Sequence, residues 1–123
     1  MSRSHAMKIV DAKTKNILFT QATWASTAWQ RVKGLLGKRN LPDGQALLFR
    51  NAPCIHTFFM RFAIDIVFLD SRGNVIRLAP SVPPGRIICC WKARCTVETA
   101  AGACERKAIH EGHTLEFSES AAD

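Results

Sequence analysis

CIHTFFMRFAIDIVFLD, residues 54–70, is the densest run of apolar residues in this chain of 123 residues. Successive side chains of a strand point to opposite faces, and in Phe62–Asp70 both faces are apolar. A strand with two apolar faces is covered on both sides. We therefore predict a central strand here and a β-rich core around it.

Asp65 interrupts this apolar run and needs a partner, because an unpaired buried carboxylate is costly. If residues 71–73 close a hairpin, Arg77 lies diagonally across from Asp65, about 7–8 Å away. The sequence thus predicts an Asp65–Arg77 ion pair, which a slip of one residue would prevent. His56 and Arg86 are the alternative partners. Asp65 equally suits the floor of a binding pocket.

The remaining elements are short. Residues 27–37 form the main predicted helix, because Thr27 and Gln30 have the spacing of a capping box. A short second helix is predicted near residues 101–108, and the three prolines of Pro80–Gly85 predict a surface loop. Strands are predicted at Met7–Val10, Asn16–Thr20, Ala46–Phe49, Val75–Ala79, Arg86–Cys90, Thr96–Thr99 and Thr114–Phe117.

These elements predict a mostly β (α+β) fold, a compact single-domain β-barrel or sandwich-like sheet. We expect the domain to span residues 7–117, with residues 1–6 as a disordered lead or a vector-derived remnant and residues 118–123 as a frayed tail. No apolar run approaches the roughly 18 residues that a membrane span needs. The five cysteines are odd in number and lack C-x-x-C spacing, which predicts reduced cysteines and a cytoplasmic location.

The net charge of +7 is concentrated in the N-terminal half and is densest at Arg31–Arg39. Such asymmetry can mark a surface for anions or nucleic acid. A solvated helix face explains the charge more simply. Nucleic-acid binders usually combine basic residues with exposed aromatic side chains, whereas Phe58, Phe59, Phe62 and Phe68 lie in β-like runs that predict core positions. Nucleic acid is therefore not the favoured partner.

Several segments together resemble a known family. They are residues 31–39 (RVKGLLGKR), 46–49 (ALLF), 55–70, 73–75 (GNV) and 97–102 (VETAAG). This combination is similar to the bacterial family catalogued as domain of unknown function 192, and the resemblance runs from Met7 to Phe117. It implies a compact, mainly β domain without an established activity, so no catalytic residue is carried over. The chain departs from the family near Phe59, where members often have Gly or Trp, and at Ala63 and His113, where members often have Pro and Asp.

The cysteines and histidines suggest two kinds of chemistry, thiol catalysis and metal binding. Cys54 and His56 lie two apart in an extended segment, so a thiol nucleophile and its base could meet on one face. No third group or oxyanion site accompanies them, which makes a Cys/His enzyme an alternative only. His56, His110 and His113 fall short of the ligand set that zinc needs, so no metal and no cofactor are predicted.

The sequence best fits a small non-enzymatic binding module for a small polar ligand or a partner protein. Polar groups among aromatic walls are typical of ligand sites. Weak nucleic-acid or anion binding by the basic N-terminal half is a further alternative. The binding candidates are Arg31, His56, Thr57, Met60, Arg61, Asp65 and Arg86.

Overall fold

The computed structural model describes residues 6–25 and 40–119, which contain nine strands and one short helix. The strands are β1 Ala6–Asp11, β2 Ile17–Trp24, β3 Gln45–Arg50, β4 Cys54–His56, β5 Ile64–Leu69, β6 Val75–Val82, β7 Ile87–Cys89, β8 Cys95–Ala100 and β9 Leu115–Glu119. The helix, α1, is Ala103–Arg106.

Seven strands form one sheet in the order β6-β5-β8-β3-β2-β1-β9, and β4 pairs with β7 in a separate two-stranded ribbon. The two edge strands of the large sheet approach each other at one end, where Asn74 bridges to Thr114. Gly73 makes this approach possible, because its φ is +85° and an added Cβ would lie 2.3 Å from the Leu115 carbonyl oxygen. The sheet is therefore curled into a half-barrel.

The curled sheet is apolar on both faces. The concave face carries a buried cluster to which all seven strands contribute, and Ala103 and Cys104 of α1 pack into it. The convex face carries a second cluster that includes Ile55 of the ribbon. Every residue of β5 is buried, with Val67 and Leu69 in the first cluster and Ile64, Ile66 and Phe68 in the second.

The mostly β fold predicted from the sequence is confirmed. The apolar run divides into β4 and β5, separated by a turn, and β5 lies between β6 and β8, one position from the sheet edge. The loop predicted from Pro80 is wrong at its start, because β6 continues to Val82. Pro80 is tolerated because β6 is an edge strand and its pairing with β5 is irregular between Ala79 and Val82.

The predicted main helix, residues 27–37, lies outside the described residues. The second helix is present as α1, shorter than predicted. No helix in residues 6–25 and 40–119 is long and apolar enough to cross a membrane.

Candidate functional site

The β4–β7 ribbon has one buried face and one exposed face. Ile55 and Ile88 are paired across the ribbon and pack on the convex cluster of the sheet. The neighbouring pair, His56 and Ile87, therefore points outward, because side chains alternate along a strand. Both of these side chains are exposed.

A disulfide joins Cys54 to Cys89 on this ribbon. The prediction that the cysteines are all reduced is wrong for this pair, and the Cys54/His56 enzyme is contradicted, because a disulfide sulfur is not a thiolate nucleophile. The two cysteines are 35 residues apart in sequence. Their pairing follows from the register of β4 on β7, which the cysteine spacing does not reveal.

Thr57 follows β4 and is completely buried. Its hydroxyl donates to the carbonyl of Pro83 at 2.7 Å and accepts from the Arg86 N–H at 2.9 Å. Its carbonyl accepts from the N–H of Gly85 at 3.0 Å. Thr57 therefore fastens the loop at residues 83–86 to the turn that follows β4.

Asp65 is buried and is satisfied by three backbone N–H groups. Its Oδ1 accepts from Ser81 at 2.8 Å and from Gly102 at 3.0 Å, and its Oδ2 accepts from Cys104 at 3.0 Å. Such charge-assisted bonds compensate a buried carboxylate. Asp65 thus joins the end of β6, where the loop begins, to the start of α1.

The predicted Asp65–Arg77 ion pair is wrong. The pairing of β5 with β6 shifts between Phe68 and Leu69, so Arg77 pairs with Phe68 and lies on the face opposite Asp65. Its guanidinium donates to the Cys89 carbonyl and is 6.0 Å from the Phe68 ring. Arg77 therefore holds the ribbon against the sheet.

Large apolar side chains are exposed where the ribbon ends. Phe59 is 84% exposed, Ile87 61% and Phe58 41%, and the Phe58 ring stacks on His56 with centroids 5.7 Å apart. Phe59 has a φ of +68°, a left-handed conformation that a bulky residue rarely adopts. We call this exposed surface the ribbon tip and define it as His56, Phe58, Phe59, Arg61, Arg86 and Ile87.

The segments around the ribbon tip are strongly cationic. Residues 44–64 and 71–97 contain seven Arg or Lys and no Asp or Glu. The tip itself holds Arg61 and Arg86, both exposed and outside every ion pair of the described residues. It therefore combines apolar anchors with positive charge.

The structure sorts the predicted binding candidates into two groups. His56, the last residue of β4, and Arg61 and Arg86, which lie outside the strands, are exposed, whereas Thr57, Met60 and Asp65 are buried. The seventh candidate, Arg31, lies outside the described residues.

Phe58, Phe59 and Ile87 were not among the predicted site residues, because the sequence pattern assigns both phenylalanines to the core and Ile87 to the predicted strand Arg86–Cys90. The pair Phe58-Phe59 carries no signal of exposure, because adjacent apolar residues are also the pattern of a strand covered on both faces. Of the histidines considered as metal ligands, His110 and His113 lie close together, with ring centroids 5.2 Å apart. Within the described parts of the chain, no group of three or more His, Cys, Asp or Glu side chains could hold a metal ion.

Comparison with known proteins assigns the family. The model of DUF192, described as uncharacterized ACR (COG1430), matches residues 9–117. The chain belongs to the DUF192 family. No curated protein matches it.

Two solved structures share the fold of this DUF192 protein. One is from Sinorhizobium meliloti 1021 and is described as a "putative transcription regulator"; it is 20% identical with a TM-score of 0.77, over 95% of this chain and 98% of the other. The second is a protein of unknown function from Novosphingobium aromaticivorans DSM 12444. It is 19% identical with a TM-score of 0.75, over 90% of this chain and 83% of the other. At these identities the likeness establishes the fold alone.

Proposed function

We propose that this DUF192 protein is a non-enzymatic binding module that recognises an acidic, partly apolar segment of a partner protein through the ribbon tip. The observation that carries this proposal is Phe59, an aromatic side chain that is 84% exposed in a left-handed backbone conformation. Burial of a phenylalanine side chain stabilises a fold or a complex by about 1.5–3 kcal/mol. The exposed Phe59 does not provide this stabilisation in the free protein. Strained and exposed residues of this kind cluster at functional sites.

The chemistry of the ribbon tip favours a protein partner. Phe59 and Ile87 provide apolar anchors, and aromatic and arginine side chains are the types that most often dominate binding energy at interfaces. Arg61 and Arg86 attract carboxylates, and the surrounding segments contain no acidic residue to compete for them. Thr57 and Asp65 have a supporting role, because they hold the two ends of the loop that carries Arg86.

Site-specific photocrosslinking in cells tests this proposal. A benzophenone side chain replaces Phe59 in one strain and Ile17 in a control strain, because Ile17 is an exposed hydrophobic residue (54%) on β2, away from the ribbon. We expect a discrete protein adduct at position 59 that is absent at position 17. The additional change of Arg86→Ser should weaken this adduct. Equal adducts at both positions, or none at position 59, would contradict the proposal.

Nucleic acid is the second candidate partner, because exposed aromatic rings beside unpaired arginines also suit single-stranded nucleic acid. A salt titration with a single-stranded oligonucleotide separates the two. Phosphate contacts make the logarithm of the affinity fall steeply with the logarithm of the salt concentration. Tight binding with such a slope, lost in Phe59→Ser, would favour nucleic acid over a protein segment.

The cellular compartment of the protein can be tested through the redox state of its cysteines. The odd number of cysteines favours the cytoplasm, whereas the Cys54–Cys89 disulfide is typical of oxidising compartments. Rapid alkylation of intact cells decides between them. Labelling of Cys54 and Cys89 without a reductant supports the cytoplasm. Protection of these two cysteines until a reductant is added supports an oxidising compartment.

A further inference from the structure

A cleft of about 670 Å³ lies at the end of the half-barrel farthest from α1. Its position follows from β5, because Asp65 near the start of that strand binds the start of α1, whereas Leu69 at its end lines the cleft. The ribbon tip adjoins the start of β5, through the pairing of Ile64 with Val82 and the bond from Thr57 to Pro83. The cleft is thus separate from the ribbon tip.

Three arginines border the cleft, so we call it the arginine cleft and define it by Arg50, Arg72 and Arg94. All three side chains are exposed, and none of them takes part in an ion pair of the described residues. The Arg50 guanidinium lies 4.0 Å from the centroid of the Trp24 ring. A guanidinium held against an aromatic face keeps N–H groups at its edge, where they can bind an anion.

Two acidic residues also line the cleft, and both are engaged elsewhere. Asp70 accepts from the N–H groups of Arg72 and Asn74 at 2.9 Å within its turn, and Glu116 pairs with Lys15 at 3.3 Å. Neither carboxylate forms an ion pair with an arginine of the cleft in the described residues, although the Arg72 charge acts electrostatically on Asp70.

One part of the cleft wall is apolar and partly aromatic, beside the polar part that carries the arginines. The Trp24 and Phe117 rings pack edge to face with centroids 6.0 Å apart, and the Trp24 indole N–H contacts Met7 Sδ at 2.9 Å. Burial raises the pKa of the Cys95 thiol to about 11, so Cys95 remains uncharged at neutral pH. Leu69 and Leu115 complete the apolar lining.

We propose that the arginine cleft binds a small organic anion, namely a carboxylate or phosphate group carried on an apolar body. The arginines supply bidentate donors that match either anion. The apolar walls accept the body of the ligand, and the volume lies within the range of about 300–1,000 Å³ that is usual for small-molecule sites. This site shares no residue with the ribbon tip and does not depend on its function.

Titrations with simple probes test this proposal. Phenyl phosphate and phenylacetate combine an aromatic body with the two kinds of anion, inorganic phosphate supplies the anion alone, and phenol supplies the body alone. Binding is followed by amide chemical shifts in two-dimensional nuclear magnetic resonance spectra. We expect saturable binding of phenyl phosphate or phenylacetate that shifts amides lining the cleft, and binding of inorganic phosphate and phenol at least about tenfold weaker.

Two variants make the test specific, each with one positive charge removed. Arg94→Gln and Arg50→Gln should each raise the Kd about tenfold or more, as expected for loss of a charge-assisted hydrogen bond. Lys13→Gln is the matched control, because Lys13 is exposed and does not line the cleft, and it should leave the Kd unchanged.

Three results would overturn the proposal. They are no saturation by either aromatic anion at about 10 mM, equal affinity for inorganic phosphate, and equal Kd values in folded Arg94→Gln and Lys13→Gln. If none of these three results is obtained, the relative affinities for phenyl phosphate and phenylacetate identify the preferred anion.

Discussion

Replacement of Asp65 by Asn tests whether this buried carboxylate supports the fold. In Asp65→Asn, an amide oxygen can still accept from Ser81 and Gly102, but as a neutral acceptor. The amide nitrogen would then face the Cys104 N–H, which sets a donor against a donor. An unsatisfied buried N–H costs about 1–3 kcal/mol, and weakening of the two other bonds adds roughly 1 kcal/mol. We expect the free energy of unfolding to fall by about 3 kcal/mol.

Asp70→Asn is the matched control. Asp70 also accepts from three N–H groups, those of Arg72 and Asn74 and the Asn74 side chain, but it is half-buried in a turn. Water can replace weakened bonds there, so we expect a loss of about 1 kcal/mol or less.

Urea unfolding followed by tryptophan fluorescence measures both changes, because the free energy of unfolding falls linearly with urea concentration. A typical domain has about 5–15 kcal/mol to lose, so both variants should remain folded in water. Equal losses in Asp65→Asn and Asp70→Asn, or a loss below about 1 kcal/mol in Asp65→Asn, would refute the structural role of Asp65.

Three further predictions concern other parts of the described structure. In a thiol-reagent titration at pH 8, the native protein should expose one reactive thiol, the half-buried Cys90, because burial raises the pKa of the two buried thiols to about 11 and about 12; three fast thiols would contradict this. Thr57→Val should lower the free energy of unfolding by about 2–3 kcal/mol, because the Pro83 carbonyl and the Arg86 N–H lose their partner, while Thr57→Ser should lose much less. Gly73→Ala should lower the melting temperature sharply, since its φ is +85° and its Cβ would meet a backbone oxygen, and an unchanged melting curve would refute the close approach of the sheet edges.

The prediction of β5 succeeded because its signal is local. Apolar residues on both faces of Phe62–Asp70 require cover on both sides, and the structure supplies it with one cluster on each side. The break between β4 and β5 was not predicted, because Phe58 and Phe59 suit a strand by composition. Their exposure depends on the turn that Thr57 fastens through residues far along the chain.

The partners of Asp65 could not be derived from the sequence, for a physical reason. Its ligands are backbone N–H groups, which every residue except proline carries, so the sequence marks none of them. The alternative, Arg77, depended on a register that changes by one residue at the shift between Phe68 and Leu69. The arginine cleft was equally hidden, because its arginines come from three separate loops or strand ends.

Recognition of a partner segment by the ribbon tip can be measured by peptide selection. Random peptides displayed on phage are selected on the wild-type protein and, in parallel, on a folded Phe59→Ser/Arg86→Ser double variant. We expect that peptides rich in Asp, Glu and apolar residues are enriched on the wild type and lost on the variant, and that Ile17→Ser retains them. Equal enrichment on the wild type and the double variant, or enrichment without acidic residues, would contradict it.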